Sequence, residues 1–290
     1  ADLSPAQADL EKATMLFAEG KFRESEALAK KLIDNNPRDV NAGLLLGRIA
    51  IDARAYDEAE ILLRKVVEIA PRFIPAWHDL VAAFKEQGKE EEAIKAIEKA
   101  LQLEPTNAGS HYFYAGLLAM VGRTEESAES YKRAVELDSK LVGAYLGLGH
   151  VLKTLGDQEG GIAAYREAIA LRPNLGEIYF SLSNLKTFRF TDDEIAEMVK
   201  RISHESLSSE SVVHLAFSLG KAFEDNKDYD RAFQYYSQGN EVHRNSIVYD
   251  PVRTEVSHSK IKETFSGQFF NRIKTTQPGV TDPDPIFIVG

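Results

Sequence analysis

Residues 74–105 read IPAWHDLVAAFKEQGKEEEAIKAIEKALQLEP, and the spacing inside this stretch decides the fold. Large apolar side chains recur at helical intervals, with Leu80 and Phe84 in the first half and Ile97 in the second. Gly88 lies between the halves, where a turn needs a permissive backbone, and Pro105 ends the second half because proline cannot continue a helix. Val81 and Ala93 are smaller and fall where two antiparallel helices must approach closely. The stretch predicts a helix-turn-helix hairpin that needs neighbours to cover its apolar faces.

The same punctuation returns along the chain. Pro37, Pro71, Pro105 and Pro173 lie 34, 34 and 68 residues apart, and Ser139 fills the slot that the doubled interval skips. With proline as position 32 of a 34-residue unit, units start at residues 6, 40, 74, 108 and 142. Position 8 then reads Ala13, Gly47, Val81, Ala115 and Gly149, and position 20 reads Ser25, Ala59, Ala93, Ser127 and Gly161. Both columns are small apart from Val81. Gly20, Gly88, Gly122 and Gly156 share position 15, while positions 7, 11 and 24 are mostly large, as in Leu148, Leu152 and Tyr165. These residues, with Trp77, Leu80 and Phe84 as the fullest set, resemble the tetratricopeptide repeat family over about residues 6–175. The resemblance implies an all-α, right-handed superhelical solenoid, with five regular repeats over residues 1–175.

After Pro173 the register falters. A helix is predicted from about 176 to 186, residues 187–190 interrupt it, and Thr191 with Glu194 reads as a capping box opening another helix. Leu219, Gly220, Phe223, Asp228, Tyr229, Ala232 and Tyr236 then place a further repeat at 213, so residues 176–247 hold an irregular unit with three extra residues and one more repeat. Such an insertion is expected to bend or shift the stack locally. Asp250-Pro251 opens a helical connector over 248–279, and residues 280–290 are predicted to be a linker and a short terminal strand, IFIV before Gly290.

Composition narrows the function classes. Asp and Glu total 45 against 35 Lys and Arg, and the resulting net charge of −10 opposes a nucleic-acid backbone or an anionic membrane surface as principal partner. No apolar run approaches a membrane span. The absence of cysteine excludes disulfides and thiolate chemistry and is compatible with a cytoplasmic location. The seven histidines show no pair three or four residues apart, so no metal site is expected, and His111 reads as a packed residue. No phosphate-loop, nucleophile-elbow or triad signature marks a catalytic residue. A start at Ala1 without a signal-like apolar core reads as a piece of a longer chain.

The combination of NLKTFRFTDDE (184–194), LGKAFEDNKDYDRAFQYYSQGN (219–240), the Tyr249-Asp250-Pro251 helix start and PIFIVG (285–290) is more specific than any part. Together these segments resemble the boundary region of bacterial tetratricopeptide-repeat sulfotransferases. In that family a strand ending in Ile-Val-Gly precedes the loop that wraps the 5′-phosphosulfate of 3′-phosphoadenosine 5′-phosphosulfate. The resemblance implies that Gly290 is the edge of this cofactor loop and that the catalytic domain lies beyond it. The repeats would then be an arm recruiting substrate or partner. The alternative is a free-standing scaffold or adaptor that binds peptides.

Family geometry turns positions 2, 5, 9 and 12 of each unit toward a concave groove. Those positions supply Arg48, His78, Lys85, Tyr112, His150, Lys153, Phe180 and Asn184, a mixture of basic, aromatic and amide groups that suits an extended peptide or an acidic protein segment. A merely solvated inner face is the competing reading. The asparagine column of O-linked N-acetylglucosamine transferase arrays is missing from position 6, which reads Glu11, Leu45, Asp79, Phe113 and Gly147. An unpaired terminal strand would also seek a partner, so a homodimer through the C-terminal segment is expected.

Overall fold

The computed structural model describes residues 4–204, 207–248 and 250–276, and those residues form helices joined by turns, with no strand among them. The predicted linker, the terminal strand at 286–289 and Gly290 lie outside the described residues. By compactness the chain divides into Ala1–Gly239 and Asn240–Gly290.

In the first unit the five regular hairpins pair α1 (Pro5–Ala18) with α2 (Phe22–Asn35), α3 (Val40–Asp52) with α4 (Tyr56–Ile69), and α5 (Ile74–Glu86) with α6 (Glu90–Leu103). They continue with α7 (Ala108–Met120) and α8 (Thr124–Leu137), then α9 (Val142–Leu155) and α10 (Gln158–Leu171). The glycines at position 15 all adopt left-handed backbone, from +67° at Gly88 to +83° at Gly156. Arg54 and Lys227, at the same position of their own units, are forced to φ of 59° and 60° without that freedom. Here the tertiary turn, not the residue type, dictates the conformation.

Inside each hairpin the helices meet at the two small columns. Ala13, Ala59, Ala93, Ala115, Ser25 and Ser127 are all 0% exposed. Ser25 Oγ donates to Ala13 O at 2.8 Å and Ser127 Oγ donates to Ala115 O at 2.7 Å, so position 20 is bonded to the backbone of position 8. Between hairpins, the first helix of one unit is tied to the proline that ended the previous one. Trp77 Nε1 donates to Pro71 O at 2.9 Å, Tyr179 Oη to Pro173 O at 3.1 Å, and His111 Nε2 lies 3.0 Å from Pro105 O. Glu60 of α4 adds a polar tie to the next unit, accepting from Lys89 Nζ at 2.8 Å and Gln87 Nε2 at 3.2 Å besides Arg64 Nε at 2.8 Å.

The irregular unit departs from expectation in detail. Its first helix, α11 (Gly176–Ser183), ends three residues before the predicted Lys186. Leu185, Phe188 and Phe190 leave the helix to enter the core, and Phe188 meets Phe190 edge-on at 4.9 Å. Thr191 then caps α12 (Asp192–Ile202) in a complete capping box with Glu194. The last hairpin is α13 (Ser209–Asp225) with α14 (Tyr229–Ser246), which crosses the division of the chain at its final residues. α11 approaches α13 so closely at Gly176 that a Cβ there would lie 2.4 Å from Ser211 O. The second unit contains α15 (Pro251–Thr264), capped by the Asp250 side chain, and α16 (Gly267–Thr276).

Packing at the small columns is tested by comparing Gly149, at position 8, with Gly116, one position past that column. At Gly149 a Cβ would meet Tyr165 Cε1 at 2.5 Å, whereas at Gly116 its nearest neighbour is Tyr131 Oη at 3.5 Å. Gly149→Ala is expected to lower unfolding free energy by about 1–3 kcal/mol in urea titrations, and Gly116→Ala to raise it by about 0.5–1 kcal/mol. Equal effects of the two would contradict this packing.

Hydrogen bonds from Lys89, Arg64 and Gln87 outweigh the desolvation that would raise the Glu60 pKa, and hold it at about 2. A folded-state value below the unfolded one stabilises the fold above the ordinary carboxylate range and loses that contribution as pH falls toward 2. Wild type should therefore exceed Glu60→Gln in stability at pH 6, with the gap closing between about pH 4.5 and 2. A gap independent of pH would contradict the assignment.

Candidate functional site

The first helices of successive units lie side by side, α1 against α3, α3 against α5, α7 against α9 and α11 against α13, and so form one inner face. The side chains at the positions that the sequence assigned to it fall into separate groups.

Arg48 and His78 line an open pocket of about 600 Å³ with Arg72, Asp79, Asn107 and Phe113. Arg48 is not a free cation, because Arg48 Nε donates to Asp79 Oδ2 at 2.6 Å. Burial pushes the Asp79 carboxyl up against the pull of Arg48, and burial likewise holds His78 below its usual value. A 2.7 Å hydrogen bond joins His78 Nε2 and Ser110 Oγ. Ser110 is 0% exposed, so this Ser–His pair locks two helices together and offers no accessible nucleophile.

Lys85 and Tyr112 line a second pocket, of about 320 Å³, with Phe113, Leu117, Met120 and Tyr131. Phe113 is the wall common to both pockets. Tyr131 comes from α8, a second helix, and reaches the inner face because Gly147 leaves space: a Cβ there would overlap the Tyr131 ring. Burial, with Tyr112 close by, pushes the Tyr131 phenol up to about 12.

Farther along, His150 Nδ1 is 2.9 Å from Tyr165 Oη. Lys153 is exposed one turn beyond it. Lys85 and Lys153 make no ion pair among the described residues. Phe180 stacks on His214 at 5.1 Å and neighbours Phe217 at 6.5 Å, while Asn184 is exposed at the C-cap of α11. Phe217 occupies position 5 of its unit, in the same column as His78, Tyr112 and Phe180. The column itself carried the signal for Phe217, whereas nothing in it pointed to Phe113, Arg72 or Tyr131.

Among the described residues no cluster of three His, Asp or Glu could hold a metal ion, and no helix is long and apolar enough to cross a membrane. The phosphosulfate loop implied by the sequence begins at Gly290, outside the described residues. The two unpaired inner-face lysines, carried on α5 and α9, do not by themselves build a phosphate cradle, and no transfer step is derived from them.

Models of the tetratricopeptide repeat match residues 16–84, 74–107, 121–156 and 142–175. The fold is similar to TTC0263, a tetratricopeptide protein of Thermus thermophilus, with TM-score 0.52 and 20% identity over 60% of this chain and 94% of that one. It is also similar to MamA from Desulfovibrio magneticus RS-1, with TM-score 0.51 and 17% identity over 60% of this chain and 98% of that one. An uncharacterized protein of Aquifex aeolicus (strain VF5) is 26% identical over 106 residues, which are 37% of this chain and only 14% of the relative's length. The 34-residue period, the small-column seam and these matches agree: the chain is a tetratricopeptide repeat protein.

Proposed function

We propose that the chain is a protein-interaction module whose inner face binds an extended peptide segment. The observation that supports this reading is the aromatic column His78, Tyr112, Phe180 and Phe217, flanked by the unpaired cations Lys85 and Lys153. Aromatic surfaces with fixed rotamers give contact area at small entropic cost, and isolated cations add charge attraction to an acidic segment. Peptides selected from a random library on the 290-residue chain should lose about tenfold in affinity on the double substitution Lys85→Glu and Lys153→Glu, and weaken as salt rises from about 0.05 to about 0.3 M. Unchanged affinity in the double variant places the binding elsewhere.

The finer reading is that this module is the substrate- or partner-recruiting arm of a sulfotransferase that uses 3′-phosphoadenosine 5′-phosphosulfate. What supports it is the sequence of 184–194, 219–240 and 285–290, which resembles the repeat-to-catalytic boundary of that family. In this reading Gly290 opens the cofactor loop, and a homodimer forms through the C-terminal segment. Titration calorimetry with 3′,5′-diphosphoadenosine is expected to show tight binding by a chain extended through the following domain and none by residues 1–290. Binding by the shorter chain, or by neither, leaves the free-standing adaptor as the better reading.

A further inference from the structure

The pocket between α5 and α7 contains two hydroxyls that the fold does not use. Tyr131 is 7% exposed and lines this pocket, and among the described residues neither its Oη nor that of Tyr112 makes a hydrogen bond. Arg201 Nε is the buried side-chain polar atom without a partner among the described residues, so the Tyr131 hydroxyl still reaches solvent and is open to a ligand. The pocket walls around it include Phe113, Leu117, Met120 and the bare backbone of Gly116, with Lys85 and Glu86 as its charged members. Phe113 and Met120 are 38% and 53% exposed, so apolar surface stands uncovered at the mouth. Lys85 stands at the rim and makes no ion pair among the described residues. Its neighbour Glu86 also lines the pocket and accepts from Tyr56 Oη of α4 at 3.5 Å.

We infer that this pocket takes one large apolar side chain of a bound peptide, with the Tyr131 and Tyr112 hydroxyls donating to that residue's backbone carbonyl and Lys85 pairing with a carboxylate side chain next to it. The inference rests on the reading of the inner face as a peptide site and specifies which peptide it selects: an apolar residue adjacent to Asp or Glu. Volume supports the order of these roles. About 320 Å³ accommodates a Leu, Met or Phe side chain, and the adjoining pocket past Phe113 is filled with paired charges such as Arg48 and Asp79. A charged side chain therefore gains more at the Lys85 rim than inside either pocket.

The test uses the whole chain and peptides selected on it from a random 12-residue library, with binding read by fluorescence anisotropy. The expected consensus places Phe, Leu or Met beside Asp or Glu. Gly116→Leu, which fills the pocket from a position with room for a Cβ, should weaken these peptides at least about tenfold while thermal unfolding is not lowered. Lys85→Gln should weaken them about fivefold, with no loss against versions carrying Asn for Asp or Gln for Glu. If Gly116→Leu perturbs folding, Tyr131→Phe decides, with a loss of about threefold or more expected. Peptides that ignore the pocket substitutions but respond to Phe217→Ala or Lys153→Glu overturn the inference and leave the inner-face reading standing. Peptides indifferent to every one of these substitutions overturn both.

Discussion

The structure depends on one close approach, made between position 8 of a first helix and position 20 of the second. A Ser, Ala or Gly at these levels lets two backbones come near enough for Ser25 and Ser127 to reach main-chain carbonyls of the facing helix. Burial of the large residues follows from that geometry. Tyr165 lies against Gly149, Leu63 against Gly47 and Tyr236 against Gly220, the same small-against-large pair in three hairpins. Because each cluster of core residues draws on more than one hairpin, no unit completes its own core, and stability accrues from stacking.

The inner face is a by-product of this seam. Once first helices are held side by side, positions 5, 9 and 12 recur in rows, and several of them, such as Lys85 and Lys153, escape the packing that fixes the small columns, while Leu44 at position 5 is taken into the core. That freedom is where function can vary without disturbing the fold. Around α7 the by-product becomes a pocket, since Gly116 and Gly147 remove side chains that would otherwise close it and Tyr131 rises from the second helix into the space.

The repeat was legible from sequence because its signals are local and recur: proline at one phase, glycine at another, small residues at two more. Arg54 and Lys227 show that the turn is set by the hairpin even when glycine is lacking, and Ser139 shows the same for proline, as α8 still ends at Leu137. The early end of α11 was not legible, because the pull of Leu185, Phe188 and Phe190 into the core is a tertiary effect acting on a segment outside the 34-residue pattern. At the site, position in the repeat singled out Tyr112, Phe180 and Lys85. It could not reveal that Asp79 occupies the Arg48 guanidinium, or that Tyr131 crosses between helices through the gap at Gly147, because both depend on pairs of units.

If the seam makes each hairpin the cooperative unit, native-state hydrogen exchange across a denaturant series measures this directly. The amides of α7 and α8 should share one opening free energy, as should those of α9 and α10, with values stepping between hairpins along the stack. Contradiction would come from α9 opening together with α7 while α10 stays closed, since the rows of first helices would then be the cohesive elements and the seam a secondary contact.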